Sequence, residues 1–318
     1  MIKVTSLNGD NLCVKGRFGY GFIQSEDRLD KPLIRKGGKL KEASWEEAIS
    51  LVAKGFKEIK ERYGGESIGL FSGARYTNEE IYALQRLARA VLGTNNLDNS
   101  SLGEELISSF GSPASTNSWE ELSSAELILA VGSIPEEDHL AFLKIREALG
   151  RGGRLIAISP KEDELTKLSL LWLRPEEGGQ TLLINGLLKT IIKFGWQDEQ
   201  FIAQRTEGYE DLEEMVEGYS FKELGETTGV KVRRIKEVAE NYVKIKSAMI
   251  VCSADRGREG LLASLANLAL LSGKLGQPGG GIIVLHNQNN AQGAYDLGLS
   301  PDFYPGYQRI DDPEVQSK

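Results

Sequence analysis

The chain has 318 residues, 40% hydrophobic and 26% charged, with a formal net charge of −8 at pH 7. That length suits two domains or one large α/β unit, and the acidic balance excludes nucleic acid as the main partner, because a phosphate binder needs a basic face. Cys13 and Cys252 are the only cysteines, too few for a disulfide framework, and the opening MIKVTSLNGD lacks the apolar run of a signal peptide or membrane span, so the expected setting is reducing and cytoplasmic, at most peripheral on a membrane complex.

Residues 1–43 are broken by NGDN, KGRFGYG and RKGGK and read as a small β-rich segment. A helix follows over SWEEAISLVAKGFKEIKERYGG, with Ser44 and Glu47 as a capping box and Trp45, Ala48, Ile49, Val52, Phe56 and Ile59 on one face. SIGLF (67–71) reads as a strand, and TNEEIYALQRLARAVLG as a second helix opened by Thr77 and Glu80 and stopped by Gly93. AELILAVG (125–132), RLIAISP (154–160), LLWLRP, SAMIVCSA (247–254) and GGGIIVLH read as further strands, the last of these closing the series. Helices are expected over EDHLAFLKIREALGRGG, QTLLINGLLKTIIKFG, several pieces of 198–245, and GLLASLANLALLSGKLG. The alternation predicts an α/β fold: doubly wound, mainly parallel sheets with helices on both faces.

In such sheets ligands bind beyond the carboxyl ends of the strands. The loops there are SGARYTN, GSIPEEDH, SPKEDE, SADRGREG and HNQNNAQG. Arg256 and Arg258 suit phosphate, or simply pair with Asp255 and Glu259. His286 adjoins the carboxamide-rich loop and is a cofactor-contact candidate, whereas His139 reads as a solvated or capping residue and Cys252 as a small buried group.

Several blocks resemble, in order, the molybdopterin oxidoreductase superfamily, in particular the large subunit of formate dehydrogenases, and more distantly the large iron–sulfur subunit of complex I. They are NLCVKGRFGYGFI, ARAVLGTNNLDN, FGSPASTNSWEELSSAELILAVGSIPEEDH and LANLALLSGKLGQPGGGIIVLHNQNNAQGAYDLG. The resemblance implies a bis-molybdopterin guanine dinucleotide cofactor beside a [4Fe–4S] cluster. It puts Cys13 at the fourth cluster-ligand position and Lys15 between cluster and pterin. Arg256, His286, Asn287, Gln288, Asn289, Asn290 and Gln292 then fall in the loops that approach the cofactor. The implied domains are 1–43 as a remnant of the iron–sulfur domain, 44–98 plus 272–318 as a first, incomplete α/β domain, and 99–271 as a second.

Three departures qualify the likeness. A [4Fe–4S] cluster takes four thiolates, and the family's other three precede the Cys13 segment. The family's metal-ligating cysteine or selenocysteine, with a following histidine, falls where this chain reads NSSLGEELISS (99–109), which has neither and reads as a surface-polar linker. After RLIAIS, Ser159, Pro160 and Lys161 replace the family's acidic residue, with Glu162, Asp163 and Glu164 behind them. The family's chain also continues beyond the equivalent of GYQRIDDPEVQSK to complete the first domain. The expectation is a formate dehydrogenase alpha-type subunit of a multisubunit redox complex, non-catalytic and structural, with no catalytic residues and no cofactor in isolation. Its expected partners are iron–sulfur, flavin, or hydrogenase/dehydrogenase subunits. The alternative is a split enzyme in which a partner chain completes the pterin site and the cluster, with Cys13 as the metal ligand.

Overall fold

The computed structural model describes residues 14–99, 103–253 and 260–316. The chain forms two compact units, Met1–Ser100 with Gly293–Lys318, and Ser101–Gln292. The first begins with α1 (Val14–Phe18) and an antiparallel pair, β1 (Leu33–Lys36) and β2 (Lys39–Glu42), turned through Gly37 and Gly38, both at positive φ. This is the small β-rich element expected near the start. In α2 (Trp45–Tyr63), Ser44 accepts the Glu47 amide at 3.1 Å. The reciprocal half of the expected capping box is absent, because the Glu47 carboxylate pairs with Lys36 on β1.

Next come β3 (Leu70–Ser72), α3 (Asn78–Arg86), a π-helical turn at Leu87–Leu92 ended by left-handed Gly93, and β4 (Leu97–Asn99), which pairs in parallel with β3. Thr77 and Glu80 close the predicted capping box. The polar sequence of β4 does not predict a strand. Gly65 has to be glycine, since a Cβ there would collide with the carbonyl oxygens of Leu92 and Gly93.

The second unit opens with α4 (Glu104–Phe110), where the sequence predicts a polar linker; Leu106 and Ile107 are buried, which is why the segment coils. It continues through α5 (Trp119–Leu122), β5 (Leu127–Val131), α6 (Ile134–Glu137), α7 (His139–Gly150), β6 (Arg154–Ile158), α8 (Glu164–Leu168), β7 (Leu171–Leu173) and α9 (Gln180–Lys193). Four helices follow: α10 (Glu199–Arg205), α11 (Tyr209–Glu217), α12 (Phe221–Thr228) and α13 (Val232–Lys244). Then come β8 (Ala248–Ser253), α14 (Leu261–Leu271) and β9 (Gly281–Leu285).

The five strands form one parallel sheet in the order β7-β6-β5-β8-β9. Alternate residues of β5 feed two cores: Leu127, Leu129 and Val131 meet α9, α13 and α14, while Ile128 and Ala130 meet α6 and α7. Both faces are therefore covered, as a parallel sheet requires. The edge strand β9 is shielded by residues 115–117: Val284 N–H donates to Ser115 Oγ at 3.0 Å, Ile282 N–H to Thr116 Oγ1 at 2.8 Å. A Cβ on Gly281 would run into Asn117 Oδ1 and Thr116 Oγ1. The resemblance groups 272–292 with the terminal unit. The structure differs there, because β9 pairs with β8 from Met249↔Gly281 to Ser253↔Leu285.

Behind the sheet, buried Lys274 donates to the carbonyls of Val243 and Ile245, closing the end of α13. Then follow α15 (Ala291–Asp296), the hairpin β10 (Phe303–Tyr304) with β11 (Gln308–Arg309), and α16 (Pro313–Gln316). GGGIIVLH is thus not the last strand. In the first unit Arg89 holds this hairpin, donating to the carbonyls of Gly298, Ser300 and Phe303 at 2.8, 2.9 and 2.8 Å.

Candidate functional site

The large sheet runs outward in two directions from β5, through β6 to β7 and, on the other side, from β8 to β9. The strand order therefore reverses between β5 and β8, and the crevice beyond their carboxyl ends is where such a sheet receives a ligand. The β5 side of that crevice is Gly132 (φ 108) and Ser133, leading into α6. Residues 254–259, which follow β8 in sequence, lie outside the described residues, Arg256 and Arg258 among them. Next along, α14 starts at left-handed Gly260 and presents first-turn amides without intrahelical partners, the usual seat of an anion.

That seat is filled from within. One Glu105 carboxylate oxygen accepts the Gly260 N–H at 2.8 Å and the other the Ala263 N–H at 2.9 Å. Glu105 lies on α4, the segment where the resemblance puts a metal-ligating cysteine and its histidine. Sequence reasoning missed this role. The available signal was Leu106, Ile107 and Phe110 on one side of a short helical repeat after Gly103.

At the carboxyl end of β6, Asp163 caps α8, its Oδ1 accepting the Thr166 N–H at 2.8 Å. Its Oδ2 is buried and has no hydrogen-bond partner among the described residues, a cost to the fold and not an acceptor that a ligand can reach in this conformation. The loop around it is fixed by Trp172 Nε1 on Ser159 O at 2.9 Å and Arg174 Nε on Pro160 O at 3.0 Å.

At the carboxyl end of β9 the loop 286–290 carries His286, Asn287, Gln288, Asn289 and Asn290, and Gln292 follows in the first turn of the next helix, Ala291–Asp296. Asn287 and Asn289 are exposed; Gln288, Asn290 and Gln292 are partly buried and already engaged by the protein. Burial holds the His286 imidazole below the ordinary histidine range. His139 is exposed at the start of α7, where Asp138 and not the histidine makes the cap. Lys15 lies on α1 in the other unit, and Cys13, Ser100 and Ser101 lie outside the described residues.

Tested against these groups, an iron–sulfur cluster finds no ligand set: Cys252 is fully buried within β8, and no cluster of three or more His, Cys, Asp or Glu side chains exists among the described residues. A pterin dinucleotide would find polar groups on the loop 286–290, but the metal it carries finds no thiolate on α4, and a proton leaving its substrate finds no imidazole there. The described residues do not fit a metal-bearing pterin. Among them, too, no helix is long and apolar enough to cross a membrane.

A family model for molybdopterin oxidoreductases matches residues 28–310. Among curated proteins the chain is similar to the F420-dependent formate dehydrogenase 2 subunit alpha of Methanococcus maripaludis, 40% identical over 96% of this chain and 46% of that one. It is 36% identical to formate dehydrogenase H of Escherichia coli over 98% of this chain and 46% of that one. It thus spans less than half the length of these relatives. Among solved structures, acetylene hydratase from Pelobacter acetylenicus superposes with a TM-score of 0.73 over 86% of this chain and 39% of that one, at 23% identity, a likeness of fold alone.

Proposed function

The chain belongs to the molybdopterin oxidoreductase family, and from that membership we propose that it is a formate dehydrogenase alpha-type subunit that serves a redox assembly as a non-catalytic scaffold. The observation that carries this reading is Glu105. Its carboxylate is committed to the first amides of α14 at the switch point of the sheet, and its helix offers no cysteine to a metal and no histidine to accept a proton. A formate-oxidising site of this family needs a metal ligand and a proton acceptor within hydrogen-bond reach of each other. The loop 286–290 is then a residual ligand shelf, and the partners are iron–sulfur, flavin or dehydrogenase subunits of the assembly.

Metal analysis after expression in a host replete with molybdate and tungstate tests the scaffold reading. The expected result is far less than one molybdenum or tungsten per chain and no formate-dependent dye reduction. Stoichiometric metal together with that activity overturns it.

The second reading is a split enzyme, favoured by the retained NLCVKG stretch with Cys13 and Lys15. A partner chain would supply the remaining cluster thiolates and the pterin enclosure. Under it, Cys13→Ala removes one iron–sulfur EPR signal from the assembled complex. An unchanged spectrum counts against it.

A further inference from the structure

The helix α14 reads LLASLANLALL, an apolar run interrupted by Ser264 and Asn267. Ser264 donates to Asn185 Oδ1 at 2.8 Å inside the core. Asn267 is only half-buried, and among the described residues its carboxamide makes no hydrogen bond. It lines a cavity of about 260 Å³ between α10, α11 and α14. A polar group set in a mostly apolar concavity is the usual make-up of a small-molecule site, where it fixes the ligand's orientation.

The walls are apolar: Ile202 of α10, Leu212 and Met215 of α11, and Leu270 and Leu271 of α14. Every lining residue lies within the second unit, between 202 and 271. The hollow is therefore made by that unit's own helix packing and does not depend on the bareness of any one helix face. A hollow of about 150 Å³ takes a benzene ring, so this one has room for a ring and a short chain.

The rim is acidic. Glu207 and Asp211 line it, and neither has an ion-pair partner among the described residues. They belong to the stretch 199–217, which carries seven Asp and Glu residues against the single base Arg205. The Tyr209 phenol, also in the lining, registers this field: burial raises its pKa, and the carboxylates of Glu213, Glu199 and Glu210 push it the same way. The amino end of α11 adds about half a positive charge beside Gly208, far short of neutralising those groups.

We propose that this hollow binds a small primary amine with an apolar body, of the arylalkylamine class, its ring against the leucines and its ammonium at Glu207 and Asp211. Asn267 then supplies a hydrogen-bonding group on an otherwise apolar wall. The site rests on none of the groups that carry the scaffold reading and stands whether or not the chain holds a metal.

Saturation-transfer NMR on the purified chain with 2-phenylethylamine tests it, with a Kd expected near ~1 mM. The neutral isostere 2-phenylethanol is expected to bind about tenfold more weakly, because it lacks the charge. Glu207→Gln together with Asp211→Asn is expected to weaken the amine about tenfold and leave the alcohol unchanged. Asn267→Leu weakens the amine about fivefold. Met215→Trp, at a side chain 43% exposed on the rim, fills the hollow and abolishes binding of both. Circular dichroism confirms that each variant stays folded. No saturation up to roughly 10 mM overturns the proposal, as does an amine and an alcohol of equal affinity. So does amine binding that survives Met215→Trp, or that the double charge variant or Asn267→Leu leaves as tight as before.

Discussion

The carboxylate of Glu105 accepts the backbone N–H of Gly260 at 2.8 Å, across 155 positions of sequence. Its second oxygen holds Ala263 N at 2.9 Å, so one side chain satisfies two of the orphan donors that begin α14. A negative group at a helix N-terminus also gains from the aligned peptide dipoles. Glu105→Ala is therefore expected to lower stability by about 2 kcal/mol, with Glu105→Gln intermediate because an amide keeps only one acceptor. Urea unfolding followed by far-UV circular dichroism reads this directly. An unchanged midpoint for the alanine variant would mean that solvent satisfies those amides equally well, and the support from Glu105 for the scaffold reading would go with it.

Arg89 makes the corresponding tie in the other unit. Its guanidinium donates to three carbonyls of 298–303 and to Asn95 Oδ1 at 3.0 Å, and stacks 5.0 Å from the Tyr304 ring. Burial pulls its pKa down, with nearby Tyr304 opposing, yet a guanidinium stays charged at neutral pH. Arg89→Ala strands three acceptors and is expected to cost about 3 kcal/mol. Arg89→Lys should recover little of that, since a single ammonium cannot reproduce the fork. Hydrogen exchange checks it: amides of 299–310 should lose protection while β5 and β8 keep theirs.

These two contacts mark the limit of what is legible in the sequence. The strands β5, β6, β8 and β9 announce themselves as apolar runs bounded by turns, and the α/β alternation gives a covered parallel sheet. The shelf at 286–290 is legible because it directly follows one of those runs. Glu105 is not, since Glu104–Glu105 reads locally as solvated charge and its partner lies at the far end of the unit. The strand β4 is hidden for a similar reason: LDN has no strand character, and only pairing with Leu70, Phe71 and Ser72 makes it one. For α2 the helix and its stripe are both legible, but periodicity reports that a face is apolar, never what covers it.

Tyr242 offers a gain instead of a loss. It is wholly buried and, among the described residues, its hydroxyl meets no partner at full hydrogen-bonding geometry, the Ser272 hydroxyl beside it being turned to Leu268 O at 2.6 Å. Burial drives the phenol's pKa far up, against a weaker opposing pull from Ser272, so it stays neutral throughout the useful pH range. Removing an unsatisfied buried hydroxyl without changing the ring is expected to stabilise, by about 1 kcal/mol for Tyr242→Phe. Thermal unfolding measures this. A destabilised phenylalanine variant would show that the hydroxyl has a partner, a bound water above all.

His286 predicts a pH dependence with a definite sign. Its folded pKa lies below the ordinary 6.5 because burial disfavours the imidazolium. Between the two values the unfolded chain holds more protons, so stability falls as pH drops below 6.5 and levels off once pH passes the folded pKa. Above 6.5 the residue is neutral in both states and contributes no slope. His286→Asn keeps a polar side chain on the loop but cannot titrate, and should remove this part of the slope between neutral and mildly acidic pH, leaving the carboxylate-driven loss at lower pH intact. Urea midpoints for the two proteins across that range decide it: parallel curves would mean that the histidine is as free to charge in the fold as in the unfolded chain. A ligand that accepts a hydrogen bond from a protonated His286 would raise the folded pKa and flatten the wild-type slope, so the same titration repeated with a guanine nucleotide also asks whether the shelf still holds anything.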